Sequence, residues 1–246
     1  MTNQTRRERA RKLRILVSKL ENVFGRRRRR RRPEGLETVL FAIVADGVSD
    51  ARAEVVFEKL KQEIVDWNEL RVTRDRDIQI LLGAVPQTAL KADVIRNFLG
   101  KVFTASNESV ANFMEKWSGS RATTFLEQVE GMTESMRSRA LLKGFEVDVL
   151  PITADIVRVV KRLGVVEGHL SQEKVHEFLK EVLAPKRTYA FFHLVNEHAD
   201  KYCQQRAPLC DACPVNKVCD KYHTDKSKTN VGVKSVEEGD GAEGGE

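Results

Sequence analysis

Four cysteines stand within seventeen residues, Cys203, Cys210, Cys213 and Cys219, and the chain has no others. Their spacing is C-x6-C-x2-C-x5-C. Four thiolates from one short segment close a loop around something compact, and a [4Fe–4S] cube is ligated by closely spaced cysteine runs. Structural zinc also takes four thiolates. Its sites usually offer two C-x2-4-C hooks from separate segments, whereas this chain has only Cys210–Cys213. Two disulfides are the third option, because the count is even, but they suit a small secreted scaffold rather than a long core-forming chain. The cube ranks first, zinc second and disulfides last.

These ligands need a scaffold, and 246 residues can bury one substantial core or two small ones sharing an interface. The start, Met1 to Thr5 followed by Arg6 and Arg7, is polar, and the apolar patch Ile15-Leu16-Val17 is too short for a signal-peptide core. No apolar stretch approaches the length of a membrane span. The expectation is an intracellular, reducing compartment, cytoplasm and nucleoid or a nucleus, with no membrane partner.

The net charge of +6 conceals an asymmetry. Residues 1–32 hold fourteen Lys/Arg against Glu8 and Glu21, while 225–246 hold three Lys against six acids. The basicity therefore belongs to an arm, 1–34, and its densest part is Arg26, Arg27, Arg28, Arg29, Arg30, Arg31 and Arg32. Like charges in such a run repel and nothing apolar accompanies them, so the run is expected to be disordered or extended when free. A polyanion is its natural partner, through counterion release, although phosphate contacts carry no base-sequence information. Residues 5–20 also read as a basic amphipathic helix with Leu13, Leu16, Val17 and Leu20 on one face.

From Leu36 onward the apolar period is helical and strand-like alternation is absent, which predicts an all-α fold. Gly and Pro divide the chain into helices near 50–64, 75–82, 87–104, 106–118, 120–129, 133–143, 153–163, 171–183 and 186–203. Asp50, Ser106, Ser120, Thr133, Thr153 and Ser171 are the expected N-caps. His193 and His198 are expected to pack beside the cysteine loop. Residues 225–246 read as a disordered acidic tail.

The segment Val129-Glu130-Gly131-Met132-Thr133-Glu134-Ser135-Met136 resembles a helix–hairpin–helix turn of the form L-P-G-V-G-x-K-T. Such a turn offers backbone N–H groups and a helix dipole to a DNA phosphate. Only the first hairpin glycine, Gly131, is kept; Thr133 stands at the second, where a positive φ would disfavour a β-branched residue. Ile152-Thr153-Ala154-Asp155 and Arg158-Val159 resemble V-D-T-H-x-x-R-V. Ile43 to Asp50 resembles L-L-S-A-Q-A-T-D, Leu90 to Ile95 resembles S-K-A-x-x-I, and His198 precedes Cys203 as in H-G-R-x-x-C. With the cysteine spacing, this ordered set over about 36–220 resembles the endonuclease III family of DNA glycosylases and abasic-site lyases. The resemblance implies a six-helix barrel (46–145) joined to a cluster domain (35–45 with 146–224), a [4Fe–4S] cluster on the four cysteines, and a monomer acting on double-stranded DNA, damaged or abasic. It assigns DNA contact to Gly131, Met132, Thr133 and Gly47.

The family's catalytic pair is missing. Its lysine, which forms a Schiff base at the sugar C1′, corresponds to Ser135, and its aspartate, which assists base departure, corresponds to Thr153. The spacing of eighteen residues is unchanged. A hydroxyl forms no imine, and threonine brings no charge to a developing oxocarbenium. The glutamine that related enzymes insert into the vacated base stack corresponds to Gly47. The expected function is a DNA-binding protein of the base-excision-repair type with little or no glycosylase or lyase activity. The alternative is an active glycosylase using other residues, with Asp155 and Lys143 as substitutes. A more distant class is an RNA-binding or redox-sensing module.

Overall fold

The computed structural model describes residues 3–28, 35–106 and 113–234. Arg29 to Arg32, residues 107–112 of the helix expected over 106–118, and the end of the acidic tail lie outside the described residues. Among the described residues there is no strand, and twelve α-helices account for the fold: α1 Asn3–Phe24, α2 Gly35–Val44, α3 Asp50–Glu63, α4 Trp67–Val72, α5 Asp75–Leu82, α6 Thr88–Ala105, α7 Gly119–Glu127, α8 Glu134–Gly144, α9 Ala154–Leu163, α10 Gln172–Val182, α11 Thr188–Lys201 and α12 Asp220–Lys234. The caps Thr133, Thr153 and Ser171 form as expected, each accepting a first-turn N–H. Two caps shift toward the N-terminus: Ser49 caps α3 in place of Asp50, and Ser118 caps α7 in place of Ser120. At Ser106 the backbone closes α6 instead of opening a helix, and 113–116 form a turn.

Two hydrophobic cores organise the chain. The first gathers the apolar faces of α2 through α8, from Leu36 and Ile43 to Ala140 and Phe145. Residues 36–45 pack with the helices of this first core, because α2 is apolar on nearly every side and α8 lies along it. The second core takes α9, α10, α11 and the cysteine loop.

Helix α1 belongs to this second core. Leu13, Leu16, Val17 and Leu20 are buried there against α11, and each such side chain contributes about 1.5–3 kcal/mol. The basic arm therefore begins after Phe24. The polar face of α1 meets acids of the same half: Arg6 with Glu181 (2.7 Å), Arg9 with Glu167 (2.9 Å) and Lys12 with Asp220. These exposed pairs contribute little stability each, but they neutralise part of the charge that the sequence reads as free. The first residues of the expected tail are helical. Residues 225–234 continue α12, with Asp220 in its first turn and Lys221 paired to Asp225 one turn on.

Candidate functional site

Two loops are fastened together where the hairpin meets the start of α3. The hairpin turn is made by Gly131, whose φ of +77° only glycine adopts without strain, and whose Cα faces Val94 of α6. Thr133 at the second glycine position is extended (φ −71°), so its β-branch is accommodated and the hairpin closes without the second glycine. Its hydroxyl accepts from the Met136 N–H (3.2 Å) and donates to Asp46 Oδ2 (3.3 Å), tying the hairpin to the loop carrying Gly47. Met132 itself is buried under the turn. Gly47 also has a positive φ, +73°, and a Cβ there would press on Pro86.

Beneath that loop lies Lys91, fully buried, with its Nζ donating to the carbonyls of Val44 (2.9 Å) and Asp46 (2.6 Å). Burial pulls its ammonium down to about 8, opposed by the charge of Asp46. It closes the C-terminus of α2 and sets the path of the Gly47 loop.

The next turn of α8 holds a partly buried cluster of charges. Arg139 is 2% exposed and donates from NH1 to Asp50 Oδ1 (2.5 Å), while Lys143 donates to Asp50 Oδ2 (2.9 Å). The guanidinium stands over Phe192 of α11 and the ammonium over Phe41 of α2. His193 of α11 completes the cluster, and burial, then the charge of Lys143, pushes its imidazole down to about 4. Ser135, Arg139 and Lys143 repeat every four residues and share a helix face, a signal legible in the sequence once α8 is placed. Lys143 is eight residues from Ser135, about 12 Å along the axis, and is engaged by Asp50.

Asp50 is partly buried, which raises its pKa, but Lys143 and then Arg139 outweigh this and hold it below the ordinary value. The carboxylate's contribution is therefore fully present above its unfolded value of 3.8 and is lost as pH falls through the lower folded value. Asp50→Asn is expected to destabilise the protein by about 3–5 kcal/mol at pH 7, because it leaves Arg139 buried without its charge partner. Urea unfolding measures this, and the difference from the unsubstituted protein should shrink on acidification below about pH 4.

On the other half, Thr153 caps α9, accepting from Ile156 N–H (3.1 Å), and donates to Asn196 Oδ1 of α11 (3.0 Å). Asp155 is half-buried and paired with Arg158, whose Nε donates to the carbonyl of Cys203 (2.9 Å). Lys143 and Asp155 are thus engaged by different partners, Asp50 and Arg158. Asp200 on α11 is raised to about 6 by burial and by the nearby charge of Asp155. Asn196 and Arg139 carry no recognisable motif in the sequence; both acquire their roles from helices distant in the chain.

The four cysteines are unpaired thiols lining one cavity, with Val159, Leu163, His198, Val215 and Tyr222 among its walls. Arg162 holds the loop: its guanidinium donates to the carbonyls of Gln204 (2.7 Å) and Gln205 (2.9 Å) and lies 3.5 Å from the Cys203 sulfur. The Cys219 thiol donates to the Arg162 carbonyl (3.3 Å), and His198 Nε2 is 3.9 Å from the Cys213 sulfur. His193, expected nearby, belongs instead to the Asp50 cluster. Burial pushes the thiol of Cys213 up to about 11, and those of Cys210 and Cys219 upward too, so a bound cation is what would hold them as thiolates. Among the described residues no three Cys, His, Asp or Glu side chains converge closely enough for a single ion. The four sulfurs do line one shared cavity.

No family model matches the chain. Endonuclease III of Sulfolobus acidocaldarius is 27% identical over 194 residues, covering 78% of this chain and 83% of that protein. The chain is thus similar to an endonuclease III over most of its length. Its fold agrees with that likeness. A trapped endonuclease III–DNA covalent intermediate with an estranged adenine superposes with a TM-score of 0.71 at 15% identity, over 88% of this chain and 98% of the other. A non-covalent endonuclease III–DNA complex gives 0.72 at 15%, over 89% and 98%. A thermostable thymine-DNA glycosylase gives 0.62 at 14%, over 91% and 99%. The chain therefore has the helix–hairpin–helix glycosylase fold. Among the described residues no helix is long and apolar enough to cross a membrane.

Proposed function

We propose that this protein binds double-stranded DNA, damaged or abasic, holds a [4Fe–4S] cluster on Cys203, Cys210, Cys213 and Cys219, and has little or no glycosylase or lyase activity. One observation carries the reading. The family's catalytic positions hold two hydroxyl groups, of which Thr153 serves the fold by capping α9 and bonding Asn196, while Lys143, two turns below Ser135 on the same face, is held by Asp50. The elements suited to DNA contact are kept: a closed hairpin at Gly131 to Thr133, a tethered Gly47 loop, and cations beyond Phe24. The cluster would clamp the second half and supply no chemistry to the sugar or base.

Binding and cleavage measured on a panel of lesion-bearing and abasic duplexes test this: binding without turnover is expected. The arm is best tested by substitution, since removing 1–32 would take α1 out of the second core. With Arg26 and Arg28 to Arg32 changed to glutamine, the salt dependence of affinity is expected to flatten by about 0.9 for each phosphate no longer neutralised, as much as about 5 for six. Arg27 is left in place because it pairs with Glu197. An unchanged slope would remove the arm from the DNA contact.

A further inference from the structure

Helix α7 leads straight into the hairpin, and its outward face lines an open groove. The half-buried rings of Phe113 and Phe125 form the groove's floor and pack edge to face against the buried Trp117, with ring centroids 4.9–6.4 Å apart, and the groove runs to Gln128, the residue before the hairpin. Two cations stand on these rings: the Arg121 guanidinium is 4.4 Å from the Trp117 centroid and the Lys101 ammonium 5.5 Å from that of Phe125. The Phe125 ring is half-buried, and Ser120, Thr124 and Gln128 are exposed along the rim. An aromatic floor with a cationic rim matches the two chemistries of an unpaired nucleotide strand, π-faces and phosphates. From Ser120 to Gln128 the groove runs about 12 Å, the length of roughly three stacked nucleotides at about 3.4 Å each.

We propose that this groove is a second nucleic-acid site, taking the unpaired bases of a strand that leaves the duplex held at the hairpin. The proposal rests on the DNA-binding reading above. It makes the protein a reader of junctions between duplex and single strand, a property that the duplex contacts alone do not confer. Stacking is tolerant of sequence, so no base preference is expected.

The test compares a blunt duplex with the same duplex carrying an oligothymidine overhang of about ten nucleotides, 3′ or 5′, within the span of a single-strand site. Binding is read by fluorescence anisotropy with the full-length protein. The overhang is expected to tighten binding at least about fivefold on one polarity, within the contribution of one stacked base. Arg121→Glu, and separately Thr124→Glu, which adds a charge on an exposed rim position without touching the core, should abolish that gain and leave blunt-duplex affinity unchanged. Equal affinity for blunt and overhang DNA, or a gain that survives Thr124→Glu, would overturn the groove. Overhang binding without duplex binding would keep the groove and remove the duplex reading. A dimer dissolved by Thr124→Glu in sedimentation would show a second copy covering the groove and overturn the nucleic-acid occupant.

Discussion

Borohydride added to the protein on a duplex with one abasic site is expected to trap no covalent adduct, and the double substitution Ser135→Lys, Thr153→Asp is expected to create one. Trapping requires an amine that condenses with the sugar aldehyde, and Ser135 offers a hydroxyl. Two lysines of this half are engaged elsewhere: Lys91 is fully buried on two carbonyls, and Lys143 is held on Asp50 about 12 Å along α8. The restored pair has sound local reasons to be tolerated. Aspartate is as good an N-cap as threonine, so Thr153→Asp keeps the start of α9 while adding charge where the helix dipole favours it. A lysine at 135 lies one turn above the Arg139 guanidinium, which disfavours a second positive charge and so favours the reactive free amine. The rise in adduct formation should be at least about 100-fold, the range spanned by a placed nucleophile and acid–base group. Efficient trapping by the unsubstituted protein would falsify the inactive reading and direct attention to Lys143.

The protein as isolated is expected to be brown and to contain iron and acid-labile sulfide, and Cys213→Ser is expected to lose both the colour and much of the stability. Burial raises the Cys213 thiol to about 11, and this sulfur faces the buried His198, so without a bound cation it is costly to charge. Ligand binding at such a site is folding free energy for the segment that supplies the ligands. Cys203, Cys213 and Cys219 all pack against the second core, so losing the loop loosens α9 and α11 as well. A fall in Tm on the order of 10 °C is expected, corresponding to about 3–5 kcal/mol for a chain of this size. Zinc in place of iron, with no sulfide, would sink the cluster claim while leaving the DNA-binding claim standing.

The two expectations draw on different parts of the chain, and those parts were not equally legible. Thr133, Thr153 and Ser171 are identifiable as caps from one turn of sequence, because a cap is satisfied by N–H groups two or three residues away. Gly131 needs its glycine because the hairpin requires a positive φ. The concern that threonine at 133 would spoil the hairpin dissolves in the structure, where 133 is an extended cap with an ordinary φ. Asp155 and Lys143, the named substitutes for the catalytic pair, have the right residue types. Arg158 one turn on holds the first and Asp50 of a distant helix holds the second, so both are engaged away from the catalytic positions.

Composition likewise misplaces α1. Its charge reads as part of an arm, yet four apolar residues at helical spacing outweigh the exposed basic ones once α11 provides a surface to bury them. The reverse holds for Arg139: a basic residue at the middle of an amphipathic helix is ordinarily solvated, and only Asp50, 89 residues earlier, offsets the cost of its burial.

The four cysteines at their spacing, the helical period, and the caps at Thr133, Thr153 and Ser171 are legible in the sequence, since each is a matter of residue type or of neighbours within a turn. That α1 packs into the second core, that Arg139 and Lys143 converge on Asp50, and that Phe113, Trp117, Arg121 and Phe125 line one groove were settled only by the tertiary structure. Which faces meet is decided by burial summed over segments far apart in the chain, and no local window contains that sum.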